Sequence, residues 1–251
     1  MYEVRFYSVA HGRLAAEIAR VHDVAIAGAP AEPGGPPACA ESLWDRYRIP
    51  RPLGAWTVAA GQGAPGFLSI IRWDSLTHRD SAYPRFWNDP YWLALRAKGA
   101  DGSPLVDSIE DWILRPSAAW GPLVEPPSAT PIGGVHEMRV QHVPAGTQAE
   151  AAAALATVDL PLARRLGARV LGVFEMVFGP NSPCFVTFLA WPDFDTQQRA
   201  AARLDVEPRV IQQRDREMAR HHRRVFGRMD QYILAPVPGW GLPTASFGGL
   251  E

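Results

Sequence analysis

Leu53-Gly-Ala-Trp56 returns as Leu171-Gly-Val-Phe174, and Trp73-Asp-Ser-Leu76 returns as Trp191-Pro-Asp-Phe194, both after 118 residues. Two further matches flank them. Tyr2-Glu-Val-Arg5 corresponds to His136-Glu-Met-Arg139 at an offset of 134, and Ile113-Leu-Arg-Pro116 to Ile233-Leu-Ala-Pro236 at 120. Constant order with nearly constant spacing marks an internal duplication. The fall from 134 to 118 places extra residues early in the first copy, where Gly28-Ala-Pro-Ala-Glu-Pro-Gly-Gly-Pro-Pro37 reads as a surface excursion.

Each copy reads as strand, helix, strand, strand, helix, strand. In the first, residues 2–8 alternate as a strand, and Leu14, Ile18, Val21 and Ala25 recur at helical spacing within 12–25. A second helical stretch is expected at 38–47. A hairpin is expected from 54–60 and 66–73 around Gly61-Gln-Gly63. Asp74 or Ser75 is suited to cap the next helix, and Asn88-Asp89-Pro90 to restart it, because Asp accepts free N–H groups and Pro fits a first turn. Residues 106–114 form the last strand. The second copy predicts strands near 136–143, 169–178, 184–191 and 229–235, with helices over 146–166 and 194–225, the latter split by Pro208. Residues 1–118 and 135–238 are thus the two repeats, 119–134 a proline-rich linker and 239–251 a tail.

Hydrophobic residues make up 47% of the 251 and charged residues 20%, with net charge −1, the balance of a globular chain with a sizeable core. Arginines are scattered, so no basic footprint for nucleic acid is present. Arg214 to Arg228 is interleaved with Asp215 and Glu217 and reads as a solvated helix face. Cys39 and Cys184 fit no metal or redox spacing. Glu3 and Arg5 stand where a signal peptide needs an apolar core, and no run is long enough to cross a bilayer, so a cytoplasmic protein is expected. Lys98 is the single lysine, which with abundant Ala, Pro and Gly suggests GC-rich bacterial coding.

Tyr2-Glu-Val-Arg-Phe-Tyr7, Leu53-Gly-Ala-Trp-Thr57, Arg72-Trp-Asp-Ser-Leu76, Asp89-Pro-Tyr-Trp92 and Ile113-Leu-Arg-Pro116 resemble, in order and spacing, the pattern of the NIPSNAP family. The resemblance covers nearly all of the first copy and more faintly the second. It implies the dimeric α+β barrel superfamily: two ferredoxin-like βαββαβ repeats whose antiparallel sheets face each other to form an α+β barrel, here within one chain. The family often shows His-x-Trp in the third strand; this chain has Ser69-Ile-Ile71, and Thr187-Phe-Leu189 in the second copy. The family spans adaptors and proteins of bacterial metabolism, so membership alone assigns no reaction.

Alternation places candidate site residues. Val4 and Phe6 are apolar and are expected beneath the helices, which would turn Glu3, Arg5 and Tyr7, and likewise Glu137, Arg139 and Gln141, toward a cavity between the sheets. There Glu3 or Glu137 would abstract a proton and Arg5 or Arg139 would stabilise an enolate. A structural ion pair is the competing reading. Trp56, Phe174 and Met176 would form apolar walls, with Tyr7, Ser69, Arg72 and Glu175 further ligand-contacting candidates. Glu175, in an apolar strand, calls for an arginine partner. His221 and His222 adjoin and cannot make an i, i+4 zinc pair, and surface or capping roles are expected for the histidines. No metal and no cofactor are expected, nor a phosphate loop, nucleophile elbow or dinucleotide fingerprint. The expectation is a small-molecule-binding protein, as a cofactor-free isomerase, cyclase or monooxygenase, with no nucleic acid or membrane partner and homodimer formation left open. The alternative is a non-catalytic binding or adaptor protein with a filled barrel.

Overall fold

The computed structural model describes residues 1–27, 42–98, 104–121, 134–237, 240 and 247. The Gly/Pro excursion, Cys39, the start of the helix expected at 38–47, the proline-rich linker and most of the tail lie outside the described residues.

The first copy contains β1 (Tyr2–Val9), α1 (Leu14–His22) running into a π turn (Asp23–Ala27), α2 (Leu43–Tyr47), β2 (Gly54–Ala60), β3 (Gly66–Arg72), α3 (Leu76–Trp87), α4 (Pro90–Lys98) and β4 (Val106–Pro116). The second contains β5 (Val135–His142), α5 (Gln148–Ala154) running into a π turn (Leu155–Asp159), α6 (Leu160–Arg165), β6 (Arg169–Phe178), β7 (Cys184–Trp191), α7 (Phe194–Val206), α8 (Pro208–His221) and β8 (Met229–Pro236). Among the described residues both copies interrupt their first helix with a π turn, which neither sequence pattern announced.

Local chemistry explains the boundaries. Ser75 Oγ accepts from the His78 N–H at 3.0 Å and starts α3. Asp89 Oδ1 accepts from the Tyr91 and Trp92 N–H groups at 2.7 and 3.1 Å and starts α4 behind Pro90. Asp193 caps α7 through the Thr196 N–H. Glu207, held extended (φ −68°, ψ 123°) by the following Pro208, separates α7 from α8 as expected. Pro90 and Pro208 lie 118 residues apart, so the helix break itself is duplicated.

The eight strands hydrogen-bond in the closed order β1-β3-β2-β8-β5-β7-β6-β4, an antiparallel barrel. By contacts the chain falls into two compact units interleaved in sequence. One comprises Met1–Thr57, Pro65–Asp111 and Val237–Gly241; the other comprises Val58–Ala64, Trp112–Pro236 and Leu242–Glu251. In the first unit Tyr7, Phe67 and Ile71 of the sheet and Trp73, just past β3, pack with Val21, Trp44, Tyr83, Phe86 and Trp92 of the helices. Phe247 of the tail belongs to the second unit, donating its N–H to Leu171 O at 2.7 Å and packing on Phe188.

The repeated Gly-x-aromatic motif has a steric cause. A Cβ on Gly54 would lie 2.3 Å from the Trp56 ring, and one on Gly172 would lie 2.5 Å from the Phe174 ring. Each aromatic side chain folds back over the glycine two residues before it, and only a hydrogen leaves room.

Candidate functional site

β1 pairs with β3 in the register Glu3↔Ile71, Arg5↔Ser69 and Tyr7↔Phe67. Tyr7, Phe67 and Ile71 belong to the core beneath the helices, so Glu3, Arg5 and Tyr7 face the helix layer. Val4, Leu68 and Ile70, all fully buried, occupy the opposite face. This reverses the expected assignment. The polarity rule had no purchase because β1 is buried on both sides along most of its length, and buried charge follows its partners rather than water.

Those partners come from far along the chain. Glu3, with no exposed surface, accepts from Trp73 Nε1 at 2.6 Å, Tyr83 Oη at 3.1 Å and Arg79 Nε at 2.8 Å. Arg79 also donates to Asp111 Oδ2 at 2.7 Å. Asp111 in turn pairs with Arg5 Nε at 3.1 Å, whose guanidinium lies 4.4 Å from the Tyr83 ring centroid. Burial works to depress the Arg5 pKa, but Tyr7, Tyr83, Asp111 and Glu3 outweigh it and hold it raised. Arg79 therefore satisfies Glu3, and Arg5 is left to face the helices.

The second copy builds the same frame differently. Trp191 Nε1 donates to Glu137 at 2.7 Å, as Trp73 does to Glu3. Here Arg139 turns back on Glu137 itself through two bonds of 2.6 and 3.0 Å, and Gln231 adds a third donor. Burial raises the Glu137 pKa, yet Arg139 and these hydrogen bonds bring it below the usual range. Applying the repeat offsets, Gln197 replaces Arg79 and Gln231 replaces Asp111. Without that second ion pair, Arg139 is consumed by its neighbour.

The first unit holds a cavity of about 900 Å³ between β1 and helices α1, α3 and α4, with the start of β4 at its edge. Arg5, Tyr7 and Tyr83 form its floor, Trp44, Phe86 and Trp92 its flat walls, and Trp87, Leu93, Arg96 and Ile109 its rim. Glu17 and Arg20, one turn apart on α1, line it as an ion pair. Burial drives the Glu17 carboxyl up to about 7, against the pull of Arg20. The corresponding place in the second unit, lined by Gln141, Val210 and Arg214 among others, encloses about 160 Å³. By the offsets, Ala151 and Ala154 stand for Glu17 and Arg20, and Val210 for Trp92. The large cavity and its charged pair thus belong to the first copy.

Of the sequence candidates, the described structure brings Arg5 and Tyr7 to this cavity. Glu3 lies behind them with its oxygens engaged, and Ser69, beside Arg5, is buried without a hydrogen-bond partner for its hydroxyl. Trp56 and Phe174 are buried elsewhere, packed over their glycines, and Arg72 is exposed. Glu175 has the arginine partner its setting required, since Arg115 donates twice to it, at 3.0 and 2.7 Å, across the β4–β6 pair. His136 is buried in β5, not at the surface; His142 bonds Asp230 at 2.8 Å and His78 the carbonyl of Arg48 at 2.8 Å. No metal-holding cluster occurs among the described residues.

Glu17, Arg20, Trp44, Tyr83 and Trp92 were not singled out from sequence. One signal for them existed: Leu14, Glu17 and Val21 share a helical stripe, so Glu17 stands at a core position.

The NIPSNAP family model matches residues 40–121. Among curated proteins no sequence match is found. Among solved structures the chain is similar to a provisionally assigned monooxygenase of Fusobacterium nucleatum, at 8% identity and TM-score 0.52 over 99% of this chain and 95% of that one. A provisionally assigned monooxygenase of Lactobacillus acidophilus gives 10% identity and TM-score 0.53 over 97% and 96%. An anthrone oxidase-like protein gives 14% and 0.51 over 99% and 94%. At these identities the likeness is one of fold, and it accords with the eight-stranded barrel. Residues 40–121 thus carry the chain's likeness to the NIPSNAP family.

Proposed function

We propose that this protein binds a small organic molecule in the first-copy cavity and acts on it as a cofactor-free enzyme of the isomerase, cyclase or monooxygenase type. The observation that carries the reading is the cavity itself. At about 900 Å³ it falls within the range of ligand sites, and its aromatic walls with a few convergent charged groups match their usual make-up. Fold neighbours named as a monooxygenase and an anthrone oxidase-like protein support the reaction class by analogy. In this reading the copies, 1–118 and 135–238, are ferredoxin-like repeats of which the first is specialised for binding.

Arg5 and Tyr7 contact the ligand. Glu3 acts as a positioning residue, because its carboxylate is already engaged by Trp73, Tyr83 and two nitrogens of Arg79, which take up the roughly four acceptor positions of a carboxylate. Glu137 and Arg139 hold the second copy together. Trp44, Phe86 and Trp92 exclude water, which strengthens every electrostatic contact inside.

Native mass spectrometry of the freshly purified protein tests the proposal. A co-purified small molecule is expected in the wild type. It should be lost in Ala97→Trp, which places an indole at the exposed mouth of the cavity. A protein that carries no small molecule and takes up none from a panel of aromatic compounds would instead fit the adaptor reading.

A further inference from the structure

We infer that the cavity selects a flat apolar molecule bearing an oxyanion, a carboxylate, phenolate or enolate, seated against Arg20 and Arg5. The inference rests on the binding reading above and adds the chemistry of the ligand.

The wall is biased toward donors. Arg5 and Arg20 are inside it and Arg96 is at its rim. Trp44 and Trp92 also line it, and neither indole N–H has a hydrogen-bond partner; nor does Arg20 Nε. On the acceptor side stand Glu17 and, at the open edge, Asp107. Glu17 is already paired with Arg20. Asp111, the partner of Arg5, is shared with Arg79, which also pairs with Glu3. Buried cations without full pairing are costly, and an incoming oxyanion supplies what they lack through charge-assisted bonds. A cationic ligand would meet Arg5 and Arg20 with little solvent to screen them.

The rest of the cavity suits a ring. Phe86 and Trp92 lie 4.9 Å apart, and Tyr83 stacks on Trp87 at 5.3 Å with 9° between their planes. The Arg20 guanidinium sits 5.2 Å from the centre of the Trp92 ring. An aromatic body lying beside Trp92 would bring a substituent on its edge within reach of Arg20.

Glu17 supplies a signature that a nonspecific apolar pocket lacks. It competes with the ligand for Arg20, so protonating it releases the guanidinium. The other titratable groups around it in the cavity wall are Arg5 and Tyr7 on β1, Tyr83 on α3, Arg96 on α4 and Asp107 on β4. Asp23 follows in the π turn, and the helix-facing residues Phe67, Ser69 and Ile71 of β3 do not titrate. Burial raises both Tyr7 and Tyr83 above their ordinary value, so neither changes state between pH 6 and 8. With Glu17 near 7, affinity for a constant anion should rise roughly tenfold from pH 8 to pH 6.

Isothermal titration with 2-naphthoate and 2-naphthylmethylammonium, equal in ring and opposite in charge, tests this. The acid should bind at least tenfold more tightly, with the stated pH dependence. Arg20→Met should abolish the preference, and Glu17→Gln should keep it while flattening the pH profile. If Arg20→Met folds poorly, the Glu17→Gln profile decides alone. Equal binding, tighter binding of the amine, or an unchanged pH profile in Glu17→Gln overturns the oxyanion inference and leaves the cavity reading standing. Binding of neither probe overturns both.

Discussion

Replacing Arg79 with glutamine, the residue at the equivalent place in the second copy, probes the frame on which the site is built. Arg79 donates to Glu3 from Nε at 2.8 Å and approaches the same oxygen with a terminal nitrogen at 2.7 Å, while also reaching Asp111 at 2.7 Å. Removing it leaves Glu3 with Trp73 and Tyr83 alone. Breaking one side of a buried ion pair costs about 3–5 kcal/mol, and a neutral bond from the new amide restores about 1. The expected loss is therefore about 2–4 kcal/mol, a large share of a typical stability of about 5–15. Arg5 should swing toward Glu3, as Arg139 does toward Glu137, and leave the cavity. Urea unfolding of wild type, Arg79→Gln, Glu3→Gln and the double variant, with hydrogen exchange at the β1 amides to localise the change, measures it. The double variant should recover at least about 1 kcal/mol of the summed single losses. A loss in Arg79→Gln below about 1 kcal/mol, or strictly additive losses, refutes the assigned role of this pair.

Gly54→Ala and Gly172→Ala should each destabilise by about 1–3 kcal/mol, since the new methyl meets an aromatic ring at 2.3 or 2.5 Å; thermal melts check this, and neutral variants would remove the steric account of the repeat. Glu17 has a folded pKa raised from 4.5 to about 7, so its contribution is fully present below about 4.5 and is lost as pH climbs through 7. Glu17→Gln should therefore flatten the pH dependence of stability between those limits and be more stable than wild type at pH 8. Asp89→Ala removes the cap of α4 together with bonds from Tyr47 and Arg46; about 2 kcal/mol of stability should go, with weaker binding of 2-naphthoate because α4 carries Trp92.

Much of the fold was legible because its signals are local. Ser75, Asp89, Pro90 and Pro208 set helix ends through their own backbone chemistry, and the Gly-aromatic pairs recur because each is a steric unit of three residues. The site was less legible for a physical reason. Glu3 and Arg5 were recognised as charges needing partners, but the groups that decide their orientation, Trp73, Arg79 and Asp111, arrive from positions 70 to 106 residues away. Alternation established that Glu3, Arg5 and Tyr7 share a face; it carried no information on which face, since apolar Val4 and charged Arg5 are both buried. The cavity walls come from α1, α2, α3 and α4, and no single segment shows their convergence. Glu17, Arg20 and Trp92 give way to Ala151, Ala154 and Val210, and the equivalent space in the second copy shrinks to about 160 Å³.

The proposed function places a ligand in the first-copy cavity. It is tested most directly by a crystal structure of the protein soaked with 6-bromo-2-naphthoate, reading the bromine from its anomalous scattering. One ordered bromine is expected among α1, α3, α4 and β1, with the carboxylate against Arg20 or Arg5. A bromine ordered elsewhere in the molecule, with this cavity empty, contradicts it.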